Sequence, residues 1–109
     1  MQIQPGTLSL FILRALVTGR RHGFDIVTWL RHLSEGDLSV EEGAVYHALR
    51  RMERNGWLAS EWGTSDNNRQ AKYYRLTPLG RLELQTQETA WKRYAAIVGR
   101  ALRPARRRS

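Results

Sequence analysis

A polar run between two aromatic-rich segments constrains the fold of this chain more than any other feature. Residues 57–62 read WLASEW, residues 72–76 read KYYRL, and the residues between them are polar or small. Aromatic and β-branched residues favour strands, whereas Asn, Asp, Gly and Ser favour turns. The pattern therefore predicts an antiparallel hairpin with an exposed polar tip. Because side chains alternate between the faces of a strand, we expect Tyr74 to pack with Leu76 and Tyr73 to face the other way.

Two helices are predicted near the start of the chain. Apolar residues recur at helical spacing after Thr7, which we expect to cap a first helix that runs to about Thr18. This helix is apolar on nearly all sides, so it is expected inside the domain. A second helix is predicted to open at His22 and to end at Gly36.

A third helix is predicted directly before the hairpin. Ser39 and Glu42 have the spacing of a capping box, in which the two side chains bond to backbone N–H groups at a helix start. The helix should run to Asn55, with Gly56 as its left-handed stop. Three compact helices followed by a hairpin are the elements of a winged helix-turn-helix, in which the third helix reads DNA and the hairpin is the wing.

The last predicted helix is longer than a small domain needs. Thr77 and Pro78 form a strong start signal, and no strong breaker follows before about Leu102. Its apolar face is too wide for one small core, so we expect part of it to pair with a second copy, while packing on the first helix is the alternative for the rest. The residues assigned to the dimer interface are Leu84, Trp91, Tyr94, Ala95, Val98 and Leu102.

Trp91 has two interpretations. A tryptophan near a dimer seam is a candidate for stacking a flat apolar ligand between subunits. Ordinary core packing is the alternative.

Composition favours a polyanionic partner. The net charge is +8, which suits double-stranded DNA first and an acidic membrane second. No apolar run is long enough to cross a bilayer, and the chain has no cysteine, which suits the cytoplasm. We expect a mainly α fold with a small β-hairpin: a DNA-binding domain at 1–77, a dimerisation helix at 78–103 and a disordered basic tail at 104–109.

The residues also resemble a known family, the PadR transcriptional regulators. The segments that carry the resemblance are GTL at 6–8, RHGFDI at 21–26, VYHALRRMERNGWL at 45–58 and RQAKYYRLT at 69–77. The chain is similar to the short subgroup with one C-terminal dimerisation helix, and His47 departs from the proline that many relatives carry there. The resemblance implies a homodimer that represses transcription at a palindromic operator and is commonly released by a small molecule or another signal.

The predicted DNA-reading residues of the third helix lie in its N-terminal half and on its outer face. They are Glu42, Gly43, Ala44, Tyr46, His47, Arg50 and Arg51. Gly43 suggests close approach either of DNA or of the second helix. Tyr46 is predicted to contact DNA or to pack at the surface, and the arginines either to contact DNA or to pair with Glu42 or Glu53.

In the wing, Arg69 and Lys72 are the predicted phosphate contacts. Neutral donors are predicted beside them, and these are Asn67, Asn68 and Gln70.

Other classes of protein fit less well. The sequence has no nucleophile–base motif, no phosphate-binding loop and no HExxH, so we expect no enzyme and no cofactor. A metal sensor of this architecture would normally need thiolates or a tight His and carboxylate cluster, so we expect no metal site. A winged-helix protein-interaction module without specific DNA binding remains the alternative function.

Overall fold

The computed structural model describes residues 1–105, so the last four residues of the predicted basic tail, 106–109, lie outside the described residues. Four helices and three strands follow one another along the chain. They are α1 (Thr7–Ala15), β1 (Arg21–His22), α2 (Gly23–Leu33), α3 (Glu42–Arg54), β2 (Leu58–Thr64), β3 (Gln70–Leu76) and α4 (Pro78–Ala101).

The core lies between the first three helices and the sheet. Ile12 of α1, Ile26 and Leu30 of α2, and Leu49 and Met52 of α3 are fully buried against one another. Burying such side chains contributes roughly 1.5–3 kcal/mol each, so this cluster holds α3 in place while its other face stays exposed. The inward stripe of α3 consists of four buried residues, Val45, Ala48, Leu49 and Met52.

The hairpin predicted between residues 57 and 76 is confirmed. β2 and β3 pair antiparallel from Leu58 opposite Leu76 to Thr64 opposite Gln70. Tyr74 and Leu76 are buried on the same face, as the alternation predicted. A third strand, β1, was not predicted; it pairs with the free edge of β3 and gives the order β1-β3-β2.

Three predicted helix signals are confirmed by their geometry. The hydroxyl of Thr77 accepts a hydrogen bond of 3.0 Å from the backbone N–H of Gly80, which caps α4. His22 caps α2 similarly, because its Nδ1 accepts from the backbone N–H of Asp25 at 3.1 Å. Gly56 follows α3 with φ of 81°, in the left-handed region that favours glycine at a helix end.

Two predicted helix starts are wrong by one or two residues. Gly6, not Thr7, is the cap position of α1, and Thr7 is the first helical residue. The capping box is also wrong: α3 begins at Glu42, and Glu41 precedes it without a side-chain cap. Ser39 cannot begin the helix because it is held in an isolated parallel bridge with Gln2.

The ends of α1 and α2 also differ from the prediction. α1 stops at Ala15 instead of Thr18, and three residues of turn follow it. α2 stops at Leu33, and Gly36 lies beyond it in the left-handed region with φ of 84°.

The long helix α4 packs on the core only along its first part. Leu84 is 8% exposed and belongs to the core cluster, so we no longer assign it to an interface with a second copy. A hydrogen bond of 3.0 Å from the Ser9 hydroxyl to the Gln87 side chain joins α1 to α4. Residues 89–101 are all exposed, although the helix has 24 residues and is about 36 Å long.

Candidate nucleic-acid interface

The outer face of α3 presents every residue that was predicted to read DNA from this helix. The residues are Glu42, Gly43, Ala44, Tyr46, His47, Arg50 and Arg51, and all are exposed. The opposite stripe is buried, so the helix cannot rotate to hide them. An exposed helix of 13 residues that is fixed by its back face has the dimensions to enter a DNA major groove.

Gly43 has open space around it. Apart from its chain neighbours and the backbone of α3, a Cβ built on Gly43 meets no atom of residues 1–105 within 4 Å, so close packing against α2 is wrong as the reason for this glycine. Close approach of DNA remains as a prediction.

Tyr46 is only partly free. Its ring covers Gly23 at the start of α2, where it fills the space that a side chain at Gly23 would occupy. Burial raises the pKa of the Tyr46 hydroxyl above its ordinary value of 10.0, and the negative charge of Glu42 and the nearby Tyr74 raise it further. The phenol therefore stays protonated at neutral pH and can donate a hydrogen bond from the edge of the helix.

Arg50 and Arg51 have no acidic partner among residues 1–105. The alternative in which they pair with Glu42 or Glu53 is therefore wrong. Glu53 accepts a hydrogen bond from the Ser60 hydroxyl instead and forms an ion pair with Lys72 at 3.3 Å. Two guanidinium groups on an exposed face without a counter-charge suit a polyanion.

Lys72 does not lie in the exposed tip of the wing. Its ammonium group is held between the Glu53 carboxylate, 3.3 Å away, and the Tyr74 ring, 5.6 Å from the ring centre. Since its charge is already compensated, we replace the predicted phosphate contact with a structural one that ties the wing to α3.

The tip of the wing is a short turn that gathers the remaining predicted residues. The Ser65 N–H donates to the Arg69 carbonyl at 2.8 Å, and the Asn68 N–H donates to the Ser65 carbonyl at 2.9 Å. Asn68 has φ of 59°, a left-handed conformation that asparagine tolerates better than most residues. The turn exposes four predicted side chains, Asn67, Asn68, Arg69 and Gln70.

An open cleft of about 930 Å³ separates the wing from the start of α2. Its lining includes Arg69 and Gln70 from the wing and Tyr46 from α3, so the recognition helix and the wing flank the same space. Two large aromatic side chains, Phe24 and Trp62, also line the cleft. Sequence reasoning missed them as site residues; the period-two alternation of β2 would have placed Trp62 on one face with Ser60.

Comparison with known proteins identifies the family. Residues 12–86 match the transcriptional regulator PadR-like family. The chain belongs to this family.

Individual relatives agree with the family match. A transcriptional regulator of Mycobacterium tuberculosis is 33% identical over 98 residues, which cover 89% of this chain and 87% of the relative. The crystal structure of a PadR family transcription regulator from Clostridium difficile superposes with a TM-score of 0.79 at 27% identity, covering 90% of this chain and 100% of that chain. A PadR family regulator from Eggerthella lenta superposes with a TM-score of 0.75 at 31% identity, covering 92% and 85%.

Three predictions are thereby confirmed. This PadR-like chain has the winged-helix fold, mainly helical with a small sheet that forms the wing. It is a transcriptional regulator and not an enzyme, because the members of the family are regulators. DNA is the partner that this family membership supports.

The exposed part of α4 in this PadR-like chain carries the residues that were assigned to a dimer seam. Trp91 is 44% exposed, and its ring centre lies 6.2 Å from that of Tyr94. Both line an apolar groove of about 880 Å³ between α4 and the start of α1. Ala95, Val98 and Leu102 continue the same lining.

Two other kinds of site, a metal site and a membrane span, are not found in the described residues. Within residues 1–105, no group of three or more His, Cys, Asp or Glu side chains is placed to hold a metal ion. None of the helices in that range combines the length and the apolar character that a bilayer span requires.

Proposed function

We propose that this PadR-like regulator is a repressor that binds a palindromic operator as a homodimer. Residues 1–77 act as the DNA-binding unit and residues 78–103 as the pairing helix. Since bacterial regulators act on chromosomal DNA, the same proposal assigns the chain to the cytoplasm.

The observation that carries the proposal is the placement of α3 and the wing around one cleft. Arg50 and Arg51 project from α3 without acidic partners within residues 1–105, and Arg69 at the wing tip lines the same cleft as Tyr46. A duplex held by this face would receive α3 in its major groove, while the wing follows the adjacent backbone. Phosphate contacts would fix its position, and α3 would read base edges.

The homodimer is supported by the unused apolar surface of α4. Trp91, Tyr94, Val98 and Leu102 are exposed beside the groove at the start of α1, and a second copy of α4 would cover them. A two-fold axis along this seam presents two copies of α3 to two half-sites, which explains why a palindrome is expected. A scattering mass of a monomer at micromolar concentration would contradict this part.

The test of DNA binding starts from the genome of the source organism. Fragments bound by the protein are selected, and their dissociation constants are measured at several salt concentrations. The proposal predicts a preferred sequence and a steep salt dependence. Weak, salt-insensitive association would instead favour the protein-interaction module.

Single substitutions then locate the contacts. Arg69→Ala and Arg51→Ala should each weaken binding to all sequences and flatten the salt slope by about one unit. Lys92→Ala is a matched control, because Lys92 is exposed on α4 and paired with Glu88 at 2.9 Å. If Lys92→Ala lowers the slope as much as Arg69→Ala does, the loss reflects net charge and not a contact.

A small aromatic effector is a second candidate partner. The groove beside Trp91 and Tyr94 is apolar and large enough for a flat ligand, and a dimer would enclose it. Quenching of tryptophan fluorescence by planar aromatic compounds, lost in Trp91→Ala, would support this role. A panel of such compounds without any response would remove it.

A further inference from the structure

Trp62 is a large aromatic side chain that is exposed on the wing. It is 69% exposed, although it is one of the largest side chains of the chain. Exposed apolar surface of this size is unfavourable in water, and clusters of it mark interaction sites. Trp62 is therefore a candidate contact for a binding partner if other exposed apolar side chains lie beside it.

The strand alternation shows which way Trp62 faces. It shares a face of β2 with Leu58 and Ser60, and Leu58 is buried in the core. Ser60 on the same face bonds to Glu53 of α3. Trp62 therefore lies on the face of the wing that is directed toward α3, beyond the end of the core.

The cleft around Trp62 includes a second exposed aromatic residue. Phe24, at the start of α2, lines the same cleft and is 52% exposed. Arg69 and Lys72 line the cleft as well, and Lys72 is opposite Trp62 in the strand register. Lys72 is paired with Glu53, and Asp25 and Asp66 also line the cleft, so its charged lining is mixed. The cleft therefore offers aromatic side chains from two elements, with the Arg69 guanidinium at the wing tip beside them.

We propose that Trp62 packs against the sugar-phosphate backbone of bound duplex DNA, with Phe24 as a second apolar contact across the cleft. This inference rests on the proposed function. The carbon atoms of deoxyribose are the apolar part of a nucleic-acid backbone, and the indole ring offers them a flat face. Its Nε1–H is also a donor for a phosphate oxygen. The site is continuous with the outer face of α3, so one strand of the duplex reaches both.

A contact of this kind predicts a distinct pattern of affinities. Trp62→Ala should weaken binding on the order of tenfold, because apolar contact area is lost. The loss should be equal for the operator and for an unrelated duplex, since deoxyribose is the same in both. The salt slope should stay unchanged, because no charge is removed, in contrast to Arg69→Ala.

The experiment measures duplex affinity against salt for wild type, Trp62→Ala, Trp62→Phe and Leu33→Ala. Trp62→Phe keeps most of the apolar face and should lose less affinity than Trp62→Ala. Leu33→Ala removes an apolar side chain that is 53% exposed outside the lining of the cleft, so it should bind like wild type. Thermal unfolding confirms that all four chains are folded.

A second readout observes Trp62 directly. The difference in emission between wild type and Trp62→Phe isolates the indole, and acrylamide quenching reports its exposure. Quenching should fall when duplex DNA is added. Unchanged affinity in Trp62→Ala, an altered salt slope, or a Trp62 that is quenched equally in the complex would overturn the inference while leaving the proposed function intact. Absence of salt-dependent duplex binding by the wild-type chain would overturn both.

Discussion

Replacing Gly43 by alanine should raise the stability of the fold and lower its affinity for DNA. Gly43 is the second residue of α3, and a Cβ there meets nothing within 4 Å. The change therefore adds a better helix former without a clash inside the chain. The DNA-binding face is the only surface that the proposal places against the new methyl group.

Both magnitudes follow from that environment. Alanine is better than glycine in a helix interior by about 1 kcal/mol, and in the first turn we expect about 0.5 kcal/mol. For a domain of this size that gain raises Tm by roughly 2–4 °C. A methyl group forced into a closely packed interface costs roughly 1–3 kcal/mol, which corresponds to about 5- to 150-fold in Kd.

The assay measures urea unfolding and operator affinity of the same preparations, at one protein concentration because the proposed dimer makes stability depend on concentration. Stability and affinity should move in opposite directions, which excludes partial unfolding as the cause of weaker binding. An alanine variant that is more stable and binds the operator as tightly as wild type would refute close approach of DNA at Gly43. A variant that is less stable would refute the structural argument itself.

Three further predictions concern stability. Gly80→Ala should destabilise the fold by about 3 kcal/mol or more, because a Cβ there overlaps the backbone carbonyl oxygen of Trp57; an unchanged urea midpoint would contradict it. His22→Ala should cost about 1 kcal/mol through loss of the α2 cap, whereas His22→Asn should restore much of it; thermal unfolding of the pair decides. The pKa of Tyr46 is raised in the folded chain. Its contribution to the free energy of unfolding is therefore fully present below pH 10.0, the ordinary pKa, and is lost as the pH rises through the pKa of the folded state. Tyr46→Phe should therefore reduce the fall in urea midpoint between about pH 9 and about pH 11, and an identical fall would contradict this.

Local signals predicted much of the architecture correctly. Thr77 and Pro78 marked the start of α4 because a capping hydroxyl and a fixed proline φ act within one turn. Gly56 marked the end of α3 because the left-handed conformation is a property of one residue. Alternation correctly buried Tyr74, since the period of a strand is set by its own backbone.

The errors arose where distant parts of the chain decide the outcome. The capping box at Ser39 had the correct residues, but the bridge to Gln2 keeps that residue extended. β1 has only two residues and forms because β3 offers a free edge, so its own sequence carries no pattern. Lys72 was assigned to DNA because its charge is evident from the sequence. Its ion pair with Glu53 is not, because Glu53 belongs to another element.

In the candidate site too, features set by local sequence were predicted, whereas features set by packing between elements were not. Helical spacing placed Tyr46, Arg50 and Arg51 on one exposed face, because residues three and four apart share a side of a helix. The cleft that joins this face to Trp62 and Phe24 depends on how the wing and α2 pack, which no single segment encodes.

Dimethyl sulfate protection of the selected operator tests the central claim most directly. The reagent methylates N7 of guanine in the major groove and N3 of adenine in the minor groove, so it reports which groove each element occupies. If a homodimer inserts α3 twice, guanines should be protected in two patches about 10 base pairs apart, on one side of the duplex. Protection confined to a single patch, or affecting adenines alone, would contradict the account.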